Sequence, residues 1–299
     1  MNFTKVNTMM IMMRFRSLIL LAGLAGFTAS AMAQSDAGVR LYVLDGGELE
    51  ASPSSYNLLD AEVGSTLLAL SSFLIVHPQG VLLWEAGAVP DQERVMEGVG
   101  ARQIVIRSDE AERPVHLGPS LTGQLEATGY APGDVTHLAL SHFHWDHSAN
   151  ANTFAHATWL VRPEERAAMF PDEPLHNSAR PMTYAALRNA NRIDVTAEEY
   201  DVFGDGKVIL KAARGHSPGH QVLYVELEET GGVVLSGDLY HYPEERTLDR
   251  LPRGDWDVEQ TKAARVAVEE FLVRKNATLW IEHDMLAHRA LRKAPAFYR

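Results

Sequence analysis

Residues 142–147 read His-Phe-His-Trp-Asp-His, three imidazoles and one carboxylate in six positions. Neutral imidazole nitrogen and carboxylate oxygen are the donors that borderline cations such as Zn²⁺ take. His142 and His144 are two apart, so in an extended backbone they point the same way. Asp146 and His147 follow at once and point elsewhere. One short segment can therefore serve two neighbouring metal ions. The plain alternative is a polar loop rich in histidine by chance, and the His-x-His-x-Asp-His spacing is too specific for that.

Such a site needs more ligands, and the elements that must supply them are apolar runs ending in a polar group. Lys207–Ala213 alternates like a strand and leads into Gly215-His216-Ser217-Pro218-Gly219-His220. Val233–Leu235 leads into Ser236-Gly237-Asp238, and Thr278–Ile281 into Glu282-His283. The first cluster itself follows the apolar run Val135–Leu140. Four strands would each deliver a ligand at the C-terminal end, where open α/β sheets build their sites.

This ordered set resembles the metallo-β-lactamase superfamily of dinuclear hydrolases, over roughly Val39 to the C-terminus. The resemblance implies an α/β fold of the α+β kind, a four-layer αββα sandwich. It also implies two divalent ions, with Zn²⁺ as the default. His142, His144 and His216 would hold one ion. Asp146, His147 and His283 would hold the other, and Asp238 would bridge them. Co, Mn or Fe would fit similar nitrogen and oxygen donors.

Location is legible at the N-terminus. Residues 1–33 read as a secretory signal, with Lys5, Arg14 and Arg16, a short apolar core at Leu18–Phe27, and Ala31-Met32-Ala33 as an A-x-A cleavage site. The signal also reads well from Met13. The core is too short for a stable membrane anchor, so a periplasmic or secreted protein is expected. The mature domain would be 34–299. The whole chain carries a net charge of −12, and loss of the three signal cations leaves −15. An acidic body argues against nucleic acid as a partner. There is no cysteine, which excludes disulfides and thiolate metal sites.

The mature chain alternates strand and helix signals. Val39–Leu44 is a predicted strand ending in an Asp45-Gly46-Gly47 turn. Phe73–Val76 and Val81–Trp84 flank a hairpin turn, as do Gln221–Leu227 and Val233–Leu235 around Gly231-Gly232. Helices are predicted over Ser120–Thr128 and Glu164–Phe170, and from Asp257 to about Lys275 with Gln260 completing a capping box. Residues 171–200, with Pro171, Pro174 and Pro181, show no clear period and suggest a lid.

Gly215-His216-Ser217-Pro218-Gly219 matches the serine-hydrolase elbow. That elbow needs a backbone N–H after the serine, and Pro218 has none. Ser217 is therefore read as a turn residue. His220 is placed behind the site, where a ring N–H could orient a ligand loop. His137 reads as a satisfied core histidine. His77, His116, His156, His176 and His288 are given structural or surface roles.

Within the superfamily the likeness is greatest to N-acyl-homoserine lactone lactonases. It rests on Ser-His-Phe-His-Trp-Asp-His, the 69-residue step from His147 to His216, Gly-His-Ser-Pro-Gly-His-Gln, and Trp-Ile-Glu-His-Asp. The resemblance implies opening of an acylated homoserine lactone, a quorum-quenching activity. Two positions depart from the pattern. The tyrosine three residues after the bridging Asp is His241 here, between Tyr240 and Tyr242, and the usual Asp-x-Gly is Glu85-Ala86-Gly87. Asp146, His241 and Tyr240 are the candidate catalytic residues. Met169, Phe170, Met182 and Tyr184 are candidates to hold an acyl chain. Another hydrolase on this fold (arylesterase, organophosphate hydrolase or thioesterase) and a non-catalytic metal module are the competing readings. The expected partner is a small acylated lactone or ester, and a homodimer is left open.

Overall fold

A computed structural model describes Met1 and residues 38–107, 112–172 and 179–299. The stretch expected to be an export signal, its expected cleavage site and His176 lie outside the described residues.

Two sheets form the centre of the unit Asp36–Arg299. The first holds β1 (Arg40–Glu50), β2 (Leu67–His77), β3 (Gly80–Trp84), β4 (Arg102–Arg107), β5 (Glu112–Leu117), β6 (His137–Ala139), β7 (Thr158–Val161) and β8 (Arg192–Asp194), in the order β4-β5-β1-β2-β3-β6-β7-β8. The second holds β9 (Glu199–Asp201), β10 (Val208–Ala212), β11 (Gln221–Leu227), β12 (Gly231–Leu235) and β13 (Ala277–Trp280), in the order β13-β12-β11-β10-β9. A last strand, β14 (Phe297–Tyr298), pairs with β1. The helices are α1 (Leu121–Ala127), α2 (Trp145–Ser148), α3 (Pro163–Met169), α4 (Pro181–Tyr184), α5 (Pro243–Thr247), α6 (Val258–Lys275) and α7 (Met285–Ala290).

Strand alternation creates the layers. Leu41, Val43, Phe73 and Ile75 face Leu210, Leu223, Val225 and Leu235 in one buried cluster between the sheets. The intervening residues Tyr42, Leu44, Leu74 and Val76 face outward and are covered by Leu121 and Leu125 of α1. On the other side Val222, Tyr224 and Val234 meet Ala264, Val268 and Phe271 of α6. Both faces of each sheet are thus apolar, and helices must cover the outer ones. The result is the αββα sandwich.

Local chemistry marks the element ends. Ser120 caps α1 by accepting the Gly123 N–H, and Pro163 occupies the first turn of α3. Asp257 caps α6 by accepting the N–H groups of Glu259 and Gln260. The Gln260 amide donates to the Asp257 carboxylate instead of reaching the Asp257 N–H, so only half of the expected capping box forms. The Asp257 N–H is already committed to Gly215 O at 2.9 Å.

Two expectations are corrected. Asp45-Gly46-Gly47 is not a turn, because β1 runs through it to Glu50 with a bulge between Asp45 and Gly47. Gly47 takes φ of 103°, and a Cβ there would collide with His116 O. Nor is the later part of 171–200 a lid. It forms α4, a 3₁₀ turn and β8, which pairs with β7, and Tyr184 and Leu187 are fully buried. Three prolines hide a short pattern in which Tyr184 and Leu187, three apart, both face the core. Among the described residues no helix is long and apolar enough to cross a membrane.

Strand direction sets the site. β12 and β13 pair in parallel, and β10 and β12 are both antiparallel to β11. The C-terminal ends of β10, β12 and β13 therefore share one edge of the second sheet.

Candidate metal centre

The loop after β6 carries His142, and α2 begins directly after His144. That single turn carries Asp146 and His147 away from the first two imidazoles. The donor atoms of His142, His144, His216 and Asp238 all lie within 4.8 Å of one another, and so do those of Asp146, His147 and His283. All seven sequence-derived ligand candidates are thus gathered in two adjoining groups.

Asp238 joins the groups. Its Oδ2 lies 3.5 Å from His142 Nε2 and 3.3 Å from His216 Nε2. Its Oδ1 lies 3.0 Å from both His147 Nε2 and His283 Nε2. His216 Nε2 and His144 Nδ1 are 3.0 Å apart, as two lone pairs aimed at one ion would be. His142 Nε2, His147 Nε2 and Asp238 Oδ1 are buried without a hydrogen-bond partner. Buried polar atoms are normally satisfied. A pair of divalent cations satisfies these, so the residues fit the group.

The electrostatics agree. Burial pushes Asp238 up, but the imidazoles of His147, His283, His241 and His142 outweigh it and hold the carboxyl well below its usual range. Burial and the neighbouring His147 and His144 drive His142 well below the ordinary histidine value, leaving a neutral nitrogen donor. Burial also pulls on His147, but the carboxylates of Asp238, Glu85 and Asp146 hold it well above that value. A divalent cation bound there would take the place of that proton.

The outer nitrogens are held from behind. His283 Nδ1 donates to Ala69 O at 2.6 Å, which leaves Nε2 bare toward the centre. His216 Nδ1 meets Asp255 Oδ1 at 2.9 Å, and His142 Nδ1 meets Ser141 Oγ at 2.8 Å. His147 Nδ1 lies 3.4 Å from Glu85 Oε1, which also accepts the Ser141 N–H at 2.9 Å. Glu85 stands where the family pattern has Asp, and its backbone is left-handed at φ of 64°. His220 donates from Nδ1 to Ala213 O and accepts the Asp238 N–H at Nε2, both at 2.9 Å. Gly237 has φ of 48°, and a Cβ there would lie 2.7 Å from His220 Nε2. Such partners fix ring orientation and ligand basicity.

Glu165 of α3 ties two ligand loops together. It accepts the Phe143 N–H at 2.8 Å, the Ser217 hydroxyl at 2.6 Å and the Gly219 N–H at 2.8 Å. Ser217 is therefore a structural turn residue. Sequence reasoning missed Glu165 and Asp255, whose partners lie 22 or more positions away. It missed Tyr56 too, which lines the cleft.

A cleft of about 440 Å³ opens onto the centre, lined by His144, Asp146, His216, Asp238, His241, Tyr56, Trp145, Leu49, Arg113 and Arg253 among others. His241 Nε2 lies 3.1 Å from Asp238 Oδ2, and its Nδ1 lies 3.4 Å from Glu245 Oε2. Tyr240 does not reach the cleft. It packs with α6, beneath the Arg265 guanidinium, and its hydroxyl faces Glu269 at 3.5 Å. Tyr242 turns into a separate apolar cluster. The acyl-chain candidates are also displaced. Met169 and Tyr184 belong to the core under the first sheet with Phe170 against it, and Met182 is exposed. Of the remaining histidines, His77 pairs with Asp205, His116 with Glu50, and His288 with Asp45 and Ser71.

Fold and centre together define a metal-dependent hydrolase of the αββα class, with two adjoining groups of ligands. The sequence pattern of the metallo-beta-lactamase superfamily matches residues 66–275, and the chain belongs to that superfamily. It is 26% identical over 276 residues to N-acyl homoserine lactonase AttM of Azorhizobium caulinodans, covering 87% of this chain and 98% of that one. It is 25% identical over 264 residues to N-acyl homoserine lactonase AiiA of Bacillus thuringiensis subsp. kurstaki, covering 86% and 98%. A variant of B. thuringiensis AiiA with N-decanoyl-L-homoserine bound at the active site superposes with TM-score 0.69 at 23% identity, over 87% of this chain and 100% of that one. AidC, a dizinc quorum-quenching lactonase, superposes with TM-score 0.61 at 18% identity, over 87% and 94%.

Proposed function

We propose that this chain is a metal-dependent hydrolase that opens the ring of N-acyl-homoserine lactones, with zinc as its resident metal. The observation that carries the reading is Asp238, whose two oxygens face two separate ligand groups across one cleft. The AttM and AiiA lactonases support the substrate class, since they match over nearly the whole described chain.

Two bound divalent cations supply a hydroxide-level nucleophile near neutral pH and polarise a carbonyl oxygen. The chain's own residues do the rest. Asp238, held by His220 and His241, sets the spacing of the two ligand groups. Asp146 reaches the cleft from α2 and completes the second group. Arg113 and Arg253 place positive charge at the mouth of the cleft in an otherwise acidic protein. They favour a substrate that is rich in oxygen and becomes anionic on opening.

The signal at residues 1–33 supports export, with cleavage after Ala33. Intact-mass measurement of native periplasmic protein should find Gln34 at the N-terminus. A retained Leu18–Phe27 would refute cleavage. The activity is tested with purified, metal-loaded protein on lactones of several acyl lengths, a thioester, an aryl ester and a phosphotriester. Lactones should give the highest kcat/KM. A preference for any other class would move the function to another hydrolase on this fold.

A further inference from the structure

The position three residues after Asp238 lines the cleft. That position is His241, and its ring is already engaged. Nε2 meets Asp238 at 3.1 Å and Nδ1 faces Glu245 at 3.4 Å. A ring with carboxylates at both nitrogens has little left to offer a substrate. Tyr240 packs beneath Arg265 against α6, and Tyr242 is buried in the apolar cluster on which Tyr56 rests; neither lines the cleft.

A different tyrosine occupies the space. Tyr56 sits at the end of the 3₁₀ turn Pro53–Tyr56, far from His241 in sequence. Its ring lies 4.4 Å from the His241 ring, centroid to centroid, and 5.2 Å from Tyr242. It lines the same cleft as Asp146, Asp238 and His241. The backbone on either side of it is anchored. Ser55 O accepts the Arg253 N–H at 2.9 Å, and the Asn57 side chain donates to Leu251 O at 2.8 Å and accepts from Arg253 Nε at 2.8 Å. Tyr56 is thus held between two fixed neighbours. Among the described residues its hydroxyl has no hydrogen-bond partner, whereas the neighbouring Asn57 amide is held at both ends.

We infer that Tyr56 is the substrate-contacting donor of this enzyme, its phenol hydrogen-bonding the substrate carbonyl oxygen as negative charge builds there. The inference rests on the proposed hydrolase reading. A phenol with an ordinary pKa of about 10 keeps its proton near neutral pH and can donate it in a hydrogen bond. A donor fixed before the reaction contributes more than one recruited from water.

The test compares Tyr56→Phe with wild type, both as metal-loaded mature protein. kcat on an N-acyl-homoserine lactone should fall about a hundredfold, KM should change less, and metal content and melting temperature should not change. Calorimetric binding of ring-opened N-hexanoyl-L-homoserine should weaken about tenfold, a readout independent of turnover. Native kcat with native product affinity in Tyr56→Phe overturns the inference. So does a fall in kcat matched by loss of metal, which would make Tyr56 a structural support. If wild type opens no lactone but cleaves another ester, the lactonase reading fails separately. The same comparison on that ester then decides Tyr56, a hundredfold fall sustaining it and native turnover overturning it.

Discussion

His220 accepts the backbone N–H of Asp238 at its Nε2, 2.9 Å away, from behind the metal centre. Its other nitrogen donates to Ala213 O, so the tautomer is fixed and the Asp238 loop is held at one distance from the second sheet. Burial, aided by the neighbouring His216, lowers His220 to about 3, which keeps it a neutral acceptor. The carboxylate beyond that N–H serves both ligand groups. Asp238→Ala should therefore cost the protein both ions, and with them activity. Elemental analysis decides it: about two ions per wild-type chain and fewer than one in the variant. A variant that keeps one ion tightly would show that Asp238 serves one group alone.

Glu165 offers a second test of how the loops are held. Its carboxylate accepts from Phe143, Ser217 and Gly219. Glu165→Gln replaces one acceptor oxygen by a donor NH₂, leaving at least one buried donor unpaired at a cost of about 1–3 kcal/mol. Chemical denaturation should show that loss. Metal should leave the His142–His144–His216 group first, since Phe143 lies between two of its ligands and Ser217 follows the third.

The same carboxyl gives a pH effect in metal-free protein. Burial raises Glu165 to about 7 from an ordinary 4.5, against the pull of its three donors. Between those values the folded chain holds a proton that the unfolded chain has released. Stability should then fall as pH rises through that window. Glu165→Gln should flatten the slope, which a series of denaturation curves would reveal. An unchanged slope would assign the dependence to other groups.

His241 and Tyr240 are neighbours with opposite fates. His241→Ala removes a contact to Asp238 and the ring against Tyr56, so kcat should drop sharply and metal should be held less firmly. Tyr240→Phe removes only a 3.5 Å contact to Glu269 outside the cleft and should leave kcat near native. Steady-state kinetics with metal analysis on both variants checks this. A large effect from Tyr240→Phe would reverse the assignment.

Met169 is 1% exposed and lies in the core under the first sheet. Met169→Ala should lower stability by about 2–5 kcal/mol, from lost burial and the cavity left behind. The dependence of kcat/KM on acyl length should not change. A shift in chain-length preference at native stability would restore Met169 to a substrate pocket.

Much of this site could be read from the chain because its ligands depend on local geometry. His142, His144, Asp146 and His147 fall within six positions, where one extended stretch and one helical turn decide every direction. His216, Asp238 and His283 each follow an apolar strand, and strand ends are visible as changes in pattern. Alternation even separates His241 from Tyr240 and Tyr242. The acidic charge and the absence of thiolate ligands are likewise properties of sequence alone. What only tertiary structure decided are the partners that local pattern does not reach. Glu165 lies 22 positions from Phe143 and 52 from Ser217, and Asp255 lies 39 from His216. Tyr56 meets His241 only because its 3₁₀ turn is anchored to residues 251–253. Periodicity reports which face of an element is buried, but not which distant polar group will be buried against it. That is settled by how the two sheets and their connecting loops pack, and here it supplied the supports of the metal ligands and the tyrosine that lines the cleft beside His241.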